Sequence, residues 1–180
     1  MRLALPLTAS LMLSSAIALA QSPSGPPPPA CEGAEHRQFD FWLGDWAVTR
    51  PDTGAVIGRS RIRSASSGCA IYEHWIDASG RDGRSLNGYD RQRKAWVQFW
   101  IGSDGGVLRL QGGRQGEAMV LEGEMPVAGG GMQMQRITWT PAADGSVSQH
   151  WQASADGGKT WTTSFLGVYR RAPAAEPAPD

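Results

Sequence analysis

The sequence carries no excess of either charge, since 17 basic residues balance 17 acidic ones. No window concentrates Lys and Arg as a nucleic-acid-binding surface would, so no nucleic-acid partner is expected. Beyond residue 20 there is no apolar run long enough to span a bilayer as a helix, and the apolar residues alternate rather than form a helical stripe. The signatures of common catalytic classes are missing too: no Gly-x-Ser-x-Gly elbow, no phosphate loop and no His-Glu-x-x-His. No separated pair of carboxylates marks a glycosidase. His36, His74 and His150 lack the close spacing of metal ligands, and no metal or other cofactor is expected.

Cysteine is scarce, with Cys31 and Cys69 the only two. A pair in a chain that leaves the reducing cytoplasm normally oxidises, so a disulfide is the first reading and metal ligation the second. Export is expected from the first twenty residues, which read as a signal peptide: Arg2 is followed by a mostly apolar stretch from Leu3 to Leu19, and Ala18-Leu19-Ala20 offers a cleavage site. The expected location is periplasmic or secreted. Residues 21–30 are rich in Ser, Gly and Pro and read as an extended spacer. Residues 172–180, mostly Ala and Pro, read as a disordered tail. About 140 residues remain between them, enough for one domain over 31–171.

Glycine punctuation, abundant tryptophan and period-two alternation mark that domain as all-β. Expected strands are 46–50, 55–66, 68–77, 84–90, 95–101, 107–111, 118–124, 132–140, 146–154 and 160–170, each opening where a turn signal ends. Phe39, Trp42 and Leu43 share the spacing of a helical face, which predicts a short helical turn over 36–43. About ten strands joined by short loops form a meander, and closure into an antiparallel barrel removes its edges. A two-sheet sandwich is the alternative; it usually needs long crossovers, which are not evident.

Phe39-Asp40-Phe41-Trp42-Leu43-Gly44-Asp45-Trp46, Gly68-Cys69-Ala70-Ile71-Tyr72-Glu73-His74-Trp75, Ser85-Leu86-Asn87-Gly88-Tyr89-Asp90 and Gly167-Val168-Tyr169-Arg170-Arg171 together resemble a group of uncharacterised bacterial lipocalin-like proteins. Gly44-x-Trp46 with Arg170 or Arg171 also resembles the lipocalin and calycin signature. There the arginine packs across the tryptophan and closes the barrel base, a stack worth roughly 0.5 to 2 kcal/mol. The resemblance implies a barrel and a cavity without naming a ligand or reaction. Ser154 to Trp161 matches the Asp-box pattern of sialidases and other β-propellers, but one copy in a short chain is a hairpin device, with Asp156 accepting turn N–H groups and Trp161 packing beneath.

Alternate residues of a barrel strand point inward. One consistent assignment aims Glu73, Trp75, Ser85, Asn87, Tyr89, Gln98, Trp100, Arg136, Gln149 and Trp151 at the interior, a mixture of aromatic area and polar groups suited to a small-molecule pocket. Two other assignments stay open. Glu73 and Arg136 can pair in a structural network, or the parity can be reversed, because Val97, Phe99 and Ile101 make the opposite face equally apolar. Trp42, Trp46, Trp96, Trp139 and Trp161 read as core, end-plug or hairpin packing, and His74 and His150 fall on the outer face. The leading functional expectation is an exported binder of a small, partly apolar ligand. Its rivals are an isomerase- or cyclase-type enzyme using Glu73 with Tyr89 or Arg136, and a cell-envelope protein with a filled barrel and an apolar outer patch.

Overall fold

The computed structural model describes residues 31–172. The expected signal peptide, the spacer and nearly all of the expected tail lie outside the described residues; of the tail, only Ala172 is described, and its backbone N–H donates to Asp45 O at 3.0 Å.

Ten strands follow in order: β1 (Gly44–Thr49), β2 (Val56–Ala65), β3 (Ala70–Asp77), β4 (Asp82–Asp90), β5 (Ala95–Gly102), β6 (Val107–Gln115), β7 (Ala118–Pro126), β8 (Met132–Pro141), β9 (Val147–Ser154) and β10 (Thr162–Arg171). Every strand pairs antiparallel with its sequence neighbours, and β1 pairs with β10 to close the barrel. The meander therefore has no free edge, which is the physical advantage of closure over a sandwich. One boundary departs instructively from expectation. Gly112 and Gly113 read as a turn, yet β6 continues through them to Gln115. A Cβ on Gly112 would lie 2.1 Å from Val120 O, so this glycine serves close passage of β7 rather than a turn.

The helical turn expected over 36–43 is two 3-10 turns, Ala34–Arg37 and Asp40–Trp42, and a third, Ser66–Gly68, joins β2 to β3. The first two close one end of the barrel. Phe39 and Trp42 are completely buried there. Phe39 stacks on Trp42 at 4.9 Å and meets Trp96 and Trp139 edge-on at 5.6 and 5.1 Å. Such contacts add about 0.5 to 1.5 kcal/mol each beyond burial. Cys31 and Cys69 form a disulfide that ties the start of this plug to the β2–β3 connection.

The base is locked where the first and last strands meet. Arg171 lies 4.0 Å over the Trp46 ring and donates to Leu43 O at 2.5 Å. Gly44 adopts a φ of 141°, and a Cβ there would lie 2.0 Å from Arg171 Nη1, so a side chain would displace the guanidinium. Arg170 instead points outward toward Asp144, at 3.4 Å.

The Asp-box segment is the hairpin device expected. Asp156 accepts from the backbone N–H groups of Lys159 and Thr160 at 3.0 and 2.9 Å and from Thr160 Oγ1 at 2.7 Å, while Trp161 Nε1 donates to Gly158 O at 3.0 Å.

Candidate functional site

Opposite the plug, at the end bearing the β3–β4, β5–β6 and β9–β10 turns, the interior opens into a pocket of about 90 Å³. Its aromatic wall is Trp75 from β3, Trp100 from β5, Trp151 from β9, and Phe165 and Tyr169 from β10. Leu108 and Ile137 complete the apolar surface, and Glu73, Gln98 and Gln149 supply the polar groups. Tyr169 separates the two ends, with its ring 6.2 Å from Trp42 of the plug and 6.5 Å from Trp75 of the pocket.

Register explains this convergence. Glu73 stands between Ile62 of β2 and Ser85 of β4, and Ser85 in turn opposes Trp100 of β5. Ser60 donates to one Glu73 oxygen at 3.0 Å and Ser85 to the other at 2.9 Å. Asn87 donates to Ser85 Oγ at 3.0 Å and to Ile71 O at 3.1 Å, and Gln98 donates to Asn87 at 2.8 Å. The chain Gln98, Asn87, Ser85 thus points its donors toward one carboxyl. Burial nevertheless dominates, pushing Glu73 up to about 7 from its ordinary 4.5, while the two serine hydrogen bonds pull the other way. Tyr169 donates to Gln149 Oε1. Burial first, and the Glu73 charge second, hold its phenol well above the ordinary 10.0.

Most of the expected site is brought together. Glu73, Trp75, Gln98, Trp100, Gln149 and Trp151 line the pocket. Ser85 and Asn87 are buried behind it and support Glu73. Two residues lie elsewhere. Tyr89 faces the closed end, edge-on to His36 at 5.3 Å and to Trp96 at 6.3 Å. Arg136 is outside the wall, donating from Nε to Glu122 at 2.5 Å and lying 3.9 Å over Trp161. The reason is parity: Trp139 is completely buried, so Ile137 and Gln135 share its inward face and Arg136 must turn out. Gln135, in the position expected of Arg136, accepts from Trp151 Nε1 at 2.7 Å. Arg136→Ala therefore costs about 1 kcal/mol or less in urea denaturation, and because Arg136 touches Trp161 outside the wall, in a Trp161→Phe background it leaves tryptophan emission unchanged; a large emission shift in that background would contradict the outward placement.

Sequence reasoning missed Ser60, Leu108, Ile137, Phe165 and Tyr169, and two glycines that make room for the wall. A Cβ on Gly58 would lie 2.4 Å from the Trp75 ring, and one on Gly83 would lie 2.2 Å from the Trp100 ring. Each indole reaches over a strand position where no side chain stands. The signal available was Phe165-x-Gly167-x-Tyr169, whose period of two places an aromatic, a gap and an aromatic on one face. Gly83→Ala is expected to push Trp100 into the pocket, cost about 1 to 3 kcal/mol through overpacking, and shift tryptophan emission. An unchanged spectrum and melting curve would show that Trp100 does not depend on that gap.

The chain matches no family model and no curated relative. The site must therefore be read from its own chemistry. A larger open groove, about 750 Å³, runs over the outer surface of β4–β7 along Leu86, Val97, Phe99, Arg109, Glu122 and Glu124. It mixes both charges at the protein surface, whereas the inner pocket combines an aromatic wall with a single buried, positioned acid. Among the described residues no cluster of His, Cys, Asp and Glu with metal-binding geometry occurs.

Proposed function

We propose that this protein is a lipocalin-like binder that holds a small, partly apolar molecule in the open end of its barrel, outside the cytoplasm. The carrying observation is the pocket itself: five aromatic side chains line one cavity with Glu73, which neighbouring strands hold by hydrogen bonds from Ser60 and Ser85. Apolar walls with a few fixed polar groups are the composition of a ligand site. Its size is below the roughly 300 to 1,000 Å³ that suits drug-sized molecules, so the occupant is a small molecule or the head of a longer one projecting past Trp75 and Trp151. The Arg171 stack on Trp46 supports the lipocalin-like reading, and the disulfide supports an oxidising location.

Native mass spectrometry of protein purified from its own compartment, paired with a fluorescence screen of small fragments, tests the reading. A retained small molecule or saturable change in indole emission supports it. An empty protein that no fragment perturbs would sink it.

An enzyme using Glu73 as general acid or base is the second reading, favoured by a carboxyl pushed to about 7 in an accessible pocket. It is weaker because Tyr89 and Arg136, the polarising partners expected from sequence, lie outside the pocket.

A further inference from the structure

We infer that the pocket selects a small cation, an ammonium or protonated nitrogen base seated on Glu73 between the indoles; this rests on the binding reading above and names its ligand class. The first support is a charge inventory. Glu73 is the only buried Asp or Glu among the described residues. No Lys, Arg or His lines the pocket, and Arg136, the base expected to balance it, pairs with Glu122 outside. An interior carboxylate with no internal counter-ion is costly, and an arriving cation supplies the missing charge.

The second support is hydrogen-bond direction. Both serines donate into the carboxyl, and Asn87 and Gln98 pass donors along the same line. The network is built around an acceptor, and the acceptor's remaining lone pairs suit a ligand that brings N–H groups or positive charge. The third is the wall. Trp75, Trp100, Trp151, Phe165 and Tyr169 line one small enclosure, and aromatic side chains attract desolvated cations. At about 90 Å³ the pocket is well below the roughly 300 to 1,000 Å³ of drug-sized sites, which restricts the buried part to a compact head.

No other charged group lines the pocket, which leaves the titration of Glu73 in control of binding. From β2 it faces Ser60, from β4 Ser85, from β5 Gln98, from β9 Gln149 and from β10 Tyr169. Tyr169 stays neutral because burial holds it well above 10.0. Arg61, His74 and Arg84 form a cross-strand row on the outer surface of the same wall.

Tetramethylammonium is the decisive probe because it has no proton to lose. It is titrated calorimetrically at constant ionic strength, alongside ethylammonium, with tert-butanol and propionate as neutral and anionic counterparts. Both cations are expected to bind at least about tenfold more tightly than either counterpart at pH 8. Since binding needs an ionised Glu73 that titrates near 7, tetramethylammonium affinity is expected to fall on the order of a hundredfold between pH 8 and pH 5. Glu73→Gln is expected to abolish both the preference and the pH dependence while tert-butanol still binds, which separates lost charge from lost fold. Equal binding of neutral or anionic probes, or cation binding indifferent to pH and to Glu73→Gln, overturns the cation proposal and leaves the pocket. Silence from every probe also overturns it; the binding reading falls with it only if the fragment screen and native mass spectrum are blank as well.

Discussion

Replacing Cys31 and Cys69 together with serine is expected to lower the unfolding free energy by about 4 kcal/mol on the chain-entropy account of cross-links. The bridge closes a loop between residues 38 apart in sequence, so its removal releases a substantial restraint on the unfolded chain. The same bridge acts on one place in the fold. It fastens the segment that carries His36, Phe39 and Trp42 into the closed end, all of them buried. Packing still holds that segment after the bridge is gone, since Phe39 touches Trp42, Trp96 and Trp139, and Trp96 Nε1 donates to Glu35 O at 3.1 Å. The folded barrel is therefore expected to survive with a lower denaturation midpoint rather than lose its plug. Urea titration followed by tryptophan emission measures this, with reduced wild-type protein as a second route to the open thiols. A loss below about 1 kcal/mol would mean that the unfolded chain is already compact around the plug.

The fold was largely legible in the sequence because its turns are chemically explicit. Pro51-Asp52-Thr53-Gly54, Asp144-Gly145 and Asp156-Gly157-Gly158 each end one strand and begin the next, and the strands run between them. Where glycine served packing rather than turning, the same rule misled, as at Gly112. The site was legible on strands with one dominant face. On β3, Ile71, Glu73 and Trp75 share a parity, and the interior received all three. Strand β8 was harder because Arg136 and Trp139 are an odd number apart and cannot both face inward. The larger apolar side chain takes the interior, and the guanidinium finds Glu122 and Trp161 outside. Tyr89 was misplaced along the axis rather than across the wall: alternation gives a side of the barrel but not a level within it, and Tyr89 sits at the plug end.

Level also explains the electrostatics of Glu73. It stands deep enough to lose its water and far enough from the plug to face the pocket, so its carboxyl bears an electrostatic cost that the serines only reduce. That cost is expected to appear as pH-dependent stability. The folded chain holds the Glu73 proton more tightly than the unfolded chain does, so the contribution of Glu73 to stability is greatest below 4.5, falls as pH rises, and levels off above about 7. At about 1.4 kcal/mol for each pH unit of displacement, the fall amounts to about 3 kcal/mol. Asp77 and Asp156 work in the opposite sense and in a lower window. Hydrogen bonds from Ser79 and Thr160 hold them down at about 2, so their contribution is present above 3.8 and is lost as pH drops through about 2.

Glu73→Gln isolates the effect, because an amide keeps the shape and can still accept from one serine and donate to the other. The aspartates and histidines are common to both proteins and cancel in the difference. The variant is expected to be close to wild type near pH 4.5 and more stable by up to about 3 kcal/mol near pH 8, as measured by urea denaturation across that range. Parallel curves for the two proteins would mean that Glu73 keeps its water in solution. The pocket would then be wetter than its indole walls imply, and the electrostatic basis for selecting a cation would be lost.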